Sequence, residues 1–131
     1  MDIARKTTNG VTISVTSKFE EQMAQHSETP FNFSYFIEIY NESEFTLQLM
    51  RREWRIFDTF GSVKQISGEG VVGEQPIILP GGKFQYSSWC GLFSPLGNMS
   101  GSYEMVDVKD EDHVIKVSIP KFVLCVDFIK N

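Results

Sequence analysis

Three glycines at the spacing G-x-G-x-x-G, Gly68, Gly70 and Gly73 in the stretch GEGVVGEQP, have the clearest claim to chemistry in this chain. In one context that spacing cradles a phosphate. A buried strand delivers the first glycine, a helix begins at the loop, and the amides at its N-terminus face the anion. Neither flank complies here. VKQIS alternates with polar residues, and beyond Gly73 the chain runs EQPIILPGG, where Pro76 and Pro80 bar a helix interior. There is no acidic residue about twenty positions on to take a ribose hydroxyl, no G-K-[ST], and no other part of the kinase signature set. Dinucleotide-fold, Walker and kinase readings are therefore excluded. Two readings of the bend stay open. Its amides form an anion-binding nest completed by a full cation, for which Arg52 is the candidate, or the glycines supply positive φ while Val71 and Val72 pack down. Arg52 has the same two options, a guanidinium fork turned to the bend or bonds to backbone carbonyls.

The remaining reactive side chains do not assemble a site. His26 and His113 are the two histidines, and neither has a Cys or His partner at metal spacing. Asp107, Asp110, Glu111 and Asp112 lack the D-x-D-x-D-G pattern and read as a solvated turn. The serines of SS (87–88) and SGS (100–102) have no neighbouring histidine in sequence. The sequence thus assigns no catalytic residue, no metal ligand and no cofactor, and the chain is read as not an enzyme.

These candidates must be positioned by a domain of 131 residues, long enough for one core and expected to be a single unit over 1–131, with its core about residues 8–127. A net charge of -5 argues against nucleic acid, because the basic residues are scattered apart from Arg51, Arg52 and Arg55. The opening MDIARKTTNG has no signal-peptide core and no apolar run approaches a membrane span, so a cytoplasmic location and no membrane partner are expected. Cys90 and Cys125 are then expected reduced, and the N-x-S spacings at Asn32, Asn41 and Asn98 idle.

Period-two alternation dominates the chain. Val11, Ile13 and Val15 share one face, as do Phe33, Tyr35, Ile37 and Ile39. In FTLQLMRREWRIFD the phase switches from Phe45, Leu47 and Leu49 to Arg52, Trp54 and Ile56, which predicts a β-bulge or a change of sheet. Arg51, Glu53 and Arg55 face the other way as a solvated row, and Trp54 reads as core. Further strands are expected at 63–67, 83–90, 100–108 and 113–119, with a short one at FVLCV after Pro120. Turn residues separate them at the roughly 8 to 12 residue spacing of a β-sandwich. Residues 20–28 are expected to be a long loop with at most one helical turn.

In order and spacing, VTISVTSKFEEQ, RREWRIFD, GEGVVGEQPIILPGGKFQYSS, GNMSGSYEMV and IPKFVL resemble the ApaG family over nearly the whole chain. The resemblance implies an all-β, immunoglobulin or fibronectin type III-like β-sandwich of about seven to eight antiparallel strands, in the free-standing bacterial form. The family has no established catalytic activity. It is named for a bacterial operon shared with a diadenosine tetraphosphate hydrolase, and some members are linked to cobalt resistance and magnesium efflux. Eukaryotic relatives fused to an F-box, or found in a polymerase-interacting protein, imply protein binding. Many members read R-H-W where this chain has Arg52-Glu53-Trp54, so a histidine role at that position does not transfer. The expected partner is an unidentified protein. The alternative is a small anion, pyrophosphate or a nucleotide, at the glycine bend.

Overall fold

A computed structural model describes residues 3–21 and 27–127. The expectation for residues 20–28, and His26 with it, falls largely outside them. The described chain is all-β: β1 (Ala4–Thr8), β2 (Val11–Phe19), β3 (Phe31–Asn41), β4 (Leu47–Asp58), β5 (Ser62–Glu69), β6 (Ile77–Ile78), β7 (Lys83–Leu92), β8 (Leu96–Asp107) and β9 (Asp110–Cys125). One sheet runs β1-β2-β3-β7 and the other β5-β4-β8-β9, with β6 also on β4, and every pairing is antiparallel.

The phase switch in β4 is a bulge: the register with β8 slips between Leu49 and Arg51. The slip turns Arg52, Trp54 and Ile56 inward after Leu47 and Leu49, leaving Arg51, Glu53 and Arg55 exposed. Alternation elsewhere buries Val11, Ile13 and Val15 from β2 against the sheet formed by β4, β8 and β9. Trp54 sits in the core with its ring 5.5 Å from Tyr35 and 6.0 Å from Phe122.

Three boundaries differ from the sequence expectation. The segments at 113–119 and after Pro120 are one strand, β9, because β9 is a sheet edge, where a missing N–H leaves no ladder bond unmade. Its register slips opposite Met99 and Gly101, so Pro120 and Lys121 sit in a bulge facing Ser100. The acidic turn at 109–112 is shorter than expected: Val108 and Lys109 make it, and β9 already begins at Asp110. Likewise β8 begins at Leu96, inside the expected Pro95–Gly97 turn. The strand β1, not anticipated, is joined to β2 by Asn9-Gly10, both at positive φ (51° and 80°), the pair that a tight hairpin turn favours.

The two sheets do not overlie completely. β1 and β2 pack on β9, and β7 reaches β8 through Tyr86 and Tyr103. The five-stranded sheet therefore overhangs by β5, whose eight residues are exposed except for the half-buried Gly68.

Candidate functional site

The glycine bend is an excursion of one sheet edge. β5 and β6 both pair with β4, and residues 70–76 bulge out between them while the Leu49 amide still reaches the Pro76 carbonyl at 3.0 Å. Within the bulge, Val71 and Glu74 exchange two backbone bonds of 2.8 and 2.9 Å around Val72 and Gly73. Both central residues have positive φ, 43° and 80°, as a type I′ turn requires. Val72 is β-branched, so the turn holds it in a strained conformation. Gly70 combines a φ of 62° with a close approach, since a Cβ there would lie 2.1 Å from the Glu74 carbonyl oxygen. At Gly68 a Cβ would meet the Arg52 guanidinium at 3.0 Å.

Arg52 lies beneath this bend. Its Nη1 donates to the carbonyls of Glu69 and Gly70, each at 3.0 Å. The amides of Gly70, Val71 and Glu74 donate to the carbonyls of Met50, Glu74 and Val71. The structure thus places Gly68 and Gly70 against Arg52, with the bend turning carbonyls toward the arginine, while Gly73 lies at the tip of the turn, where a Cβ would meet nothing within 4 Å.

Beside the bend, the overhang of β5 leaves a groove of about 270 Å³ between the sheets. Register sets its floor: Arg52 pairs with Gly68, Trp54 with Ile66 and Ile56 with Lys64, so Ile66 and Lys64 face inward with their partners. Tyr35, Ser88 and Cys90 line the opposite wall. Its charged lining residues are Arg52 and Lys64, both cations, with no acid among them. Burial pushes the Cys90 thiol up to about 11, which keeps it protonated despite Lys64 nearby. Burial also raises the Tyr35 phenol, the hydroxyl of Ser88 opposing it.

A third feature, not found from sequence, lies at one end of the sandwich. Asp58 at the end of β4 is 4% exposed and accepts the Phe60 amide on Oδ1 at 3.2 Å and the Phe93 amide on Oδ2 at 2.7 Å. Burial opposes its ionisation, but hydrogen bonds from Ser94, Phe93 and Phe60 outweigh this and hold the carboxyl below its ordinary value. Thr59 Oγ1 completes the tie between the two turns at 2.8 Å from Ser94 Oγ. The rings carried on these two turns point outward, Phe60 at 74% and Phe93 at 57% exposure. A row of register partners continues the surface across the outer face of the sheet, Val63 to Phe57 to Asn98 to Val123.

The remaining candidates stay apart. His113 contacts Asp107 at 3.5 Å and stacks edge-on against Phe45, and among the described residues no three His, Cys, Asp or Glu gather as a metal site. Cys90 and Cys125 are buried and unbridged. Asn32 and Asn41 are buried, and Asn41 Nδ2 donates to the carbonyls of Phe45 and Ile78. Among the described residues no helix is long and apolar enough to cross a membrane.

Comparison with known proteins places this geometry. The ApaG domain family model matches residues 20–107. The chain is 40% identical over 117 residues to Protein ApaG of Beijerinckia indica, covering 89% of this chain and 88% of the relative. A crystal structure solved by the Northeast Structural Genomics Consortium superposes with a TM-score of 0.84 at 35% identity, over 95% of this chain and 92% of the other. That of an ApaA protein from Bordetella pertussis superposes with a TM-score of 0.79 at 31% identity, over 95% and 96%. None of these names states a catalytic activity.

Proposed function

The chain belongs to the ApaG family, and from that premise we propose that it is a non-enzymatic, cytoplasmic binding module whose ligand is another protein. The observation that carries this reading is the aromatic end: one buried carboxylate ties the backbone of both turns, and each turn carries an exposed phenylalanine, Phe60 and Phe93. Exposed large apolar side chains gathered at one end of a domain, here with Val63, Phe57 and Val123 on the adjoining face, mark an interaction surface. Pre-ordering the turns lowers the entropy cost of docking. Two buried, unbridged cysteines and two buried sequon asparagines fit a reducing compartment. The test is quantitative co-purification from cells with parent and Phe60→Ser/Phe93→Ser chains. A protein retained by the parent and lost from the double variant supports the reading, and identical retained sets overturn it.

A second reading is supported by the pairing of Arg52 with Lys64 in one groove beside the bend. Here the ligand is pyrophosphate or a nucleotide, bound at Gly68, Gly70 and Gly73 with Arg52 as the cation. Amide NMR titration with pyrophosphate, ATP and diadenosine tetraphosphate tests it. Shifts between Ser67 and Glu74 that Arg52→Ala abolishes and Arg55→Ala preserves support an anion site. No shift at millimolar ligand overturns it.

A further inference from the structure

The overhang of β5 and the free edge of β7 describe the same absence from two sides. β7 ends its sheet, and among the described residues no backbone hydrogen bond reaches it from the side away from β3. Sheet edges are usually blunted by charge, proline or a bulge. From Phe84 to Leu92 this edge reads FQYSSWCGL, with no charge and no proline, and its ten-residue register with β3 is unbroken. A strand added to that edge would lie over β5 and cover the inner face that the four-stranded sheet leaves bare.

We propose that this slot binds an extended segment of a partner protein by strand addition to β7, and that the segment carries the pattern acidic-x-apolar-x-acidic. The inference rests on the reading of the chain as a protein-binding module. The pattern follows from the floor. Lys64, Ile66 and Gly68 are inward positions spaced two residues apart along β5, and the Arg52 guanidinium occupies the space over Gly68. A strand lying above presents side chains at the same period, so successive inward residues meet an ammonium, an isoleucine and a guanidinium. Lys64 makes no ion pair among the described residues, and Arg52 bonds to carbonyls through Nη1 alone. A carboxylate at the first and last positions gives each cation a partner, and an apolar side chain between them covers Ile66 beside Cys90 and Trp54. The partner's other side chains face solvent on the side of Gln85 and Ser87, exposed on the outer face of β7, and Trp89, 59% exposed, borders the groove at that edge.

The probe is a synthetic heptapeptide that alternates threonine with, in turn, aspartate, valine and aspartate, titrated into the full-length ¹⁵N-labelled chain. The expected result is amide shifts confined to residues 62–68 and 84–92, and affinity lowered tenfold or more when lysine replaces both aspartates or when the chain carries Lys64→Glu. Lys64 is exposed, so the substitution buries no charge and the variant remains a fair test. N-methylation of alternate peptide amides on the edge facing β7 should abolish binding. Absence of shifts at millimolar peptide overturns the proposal, as does equal affinity for the lysine peptide. So does sedimentation showing that the chain self-associates through β7 edges protected from hydrogen exchange, and so does pyrophosphate moving these amides when the peptide does not. If the peptide is silent while the Phe60→Ser/Phe93→Ser chain still loses a co-purifying protein that Lys64→Glu retains, the strand slot fails and the module reading holds. If no variant loses any protein and the peptide is silent, both fail.

Discussion

The phenol oxygens of Tyr86 and Tyr103 lie 2.5 Å apart across the sandwich, one from each sheet. Tyr103 is fully buried and Tyr86 nearly so, and each hydroxyl finds its partner in the other. Removing one hydroxyl strands a buried polar group. Tyr103→Phe should destabilise by about 1–3 kcal/mol, while Tyr86→Phe/Tyr103→Phe should be closer to the parent than the sum of the singles. Urea denaturation of the four chains measures the coupling.

These phenols also set an alkaline limit. Burial raises Tyr35, Tyr86 and Tyr103 above the ordinary 10.0 and Cys90 from 9.0 to about 11. The folded chain then keeps protons that the unfolded chain releases. Stability should therefore be intact on this account below about pH 9 and fall above it, by up to about 1.4 kcal/mol per pH unit for each group in its window. Urea midpoints between pH 8 and 11 test the sign, and Tyr86→Phe should reduce the slope.

The strained turn predicts a gain. Val72 holds a φ of 43° where asparagine is at ease and a β-branched residue is not. Val72→Asn should stabilise by about 0.5–1 kcal/mol. Gly70→Ala should lose more than about 2 kcal/mol, because its methyl meets the Glu74 carbonyl. Thermal melts of both variants decide the point.

Asp58 couples stability to the aromatic end. Asp58→Ala frees two amides from a charged acceptor and should cost about 1.5–3 kcal/mol. Its carboxyl lies below the ordinary 3.8, so its contribution is present above that value and is lost as pH falls through the folded one. Acid denaturation below pH 4 should be shallower in Asp58→Asn. Hydrogen exchange at Phe60 and Phe93 should quicken in both variants.

The alternation of the sequence carried the strands and the bulge, because side chains in β4 change face wherever the ladder slips. β1 carries no such signal: Asn9-Gly10 marks its hairpin, but ARKTT has no apolar alternation to announce a strand. Pro120 divided a strand in sequence that an edge position and a bulge allow to continue. For the candidate site, the flanks of the glycine stretch were enough to exclude a phosphate loop. The groove was not legible, because it arises from which strand of one sheet stops short of which strand of the other. Nothing local in sequence marks Asp58, and only the approach of residue 93 lets the two aromatic turns share its carboxylate. That contact is set by tertiary structure and has no local pattern.

The order in which the strands are laid down carries a further consequence. Between β3 and its sheet neighbour β7, the chain leaves for the other sheet, builds β4, β5 and β6, and returns. On the ribosome, the inner edge of β3 must wait unpaired until residues 83–92 have emerged, while β4 waits on one side for β8. Neither sheet can be finished before the other is well advanced. Folding should accordingly be late, slow and all-or-none, with apolar β3 exposed to aggregation during synthesis, and cutting the chain between the sheets should yield no fragment that folds alone.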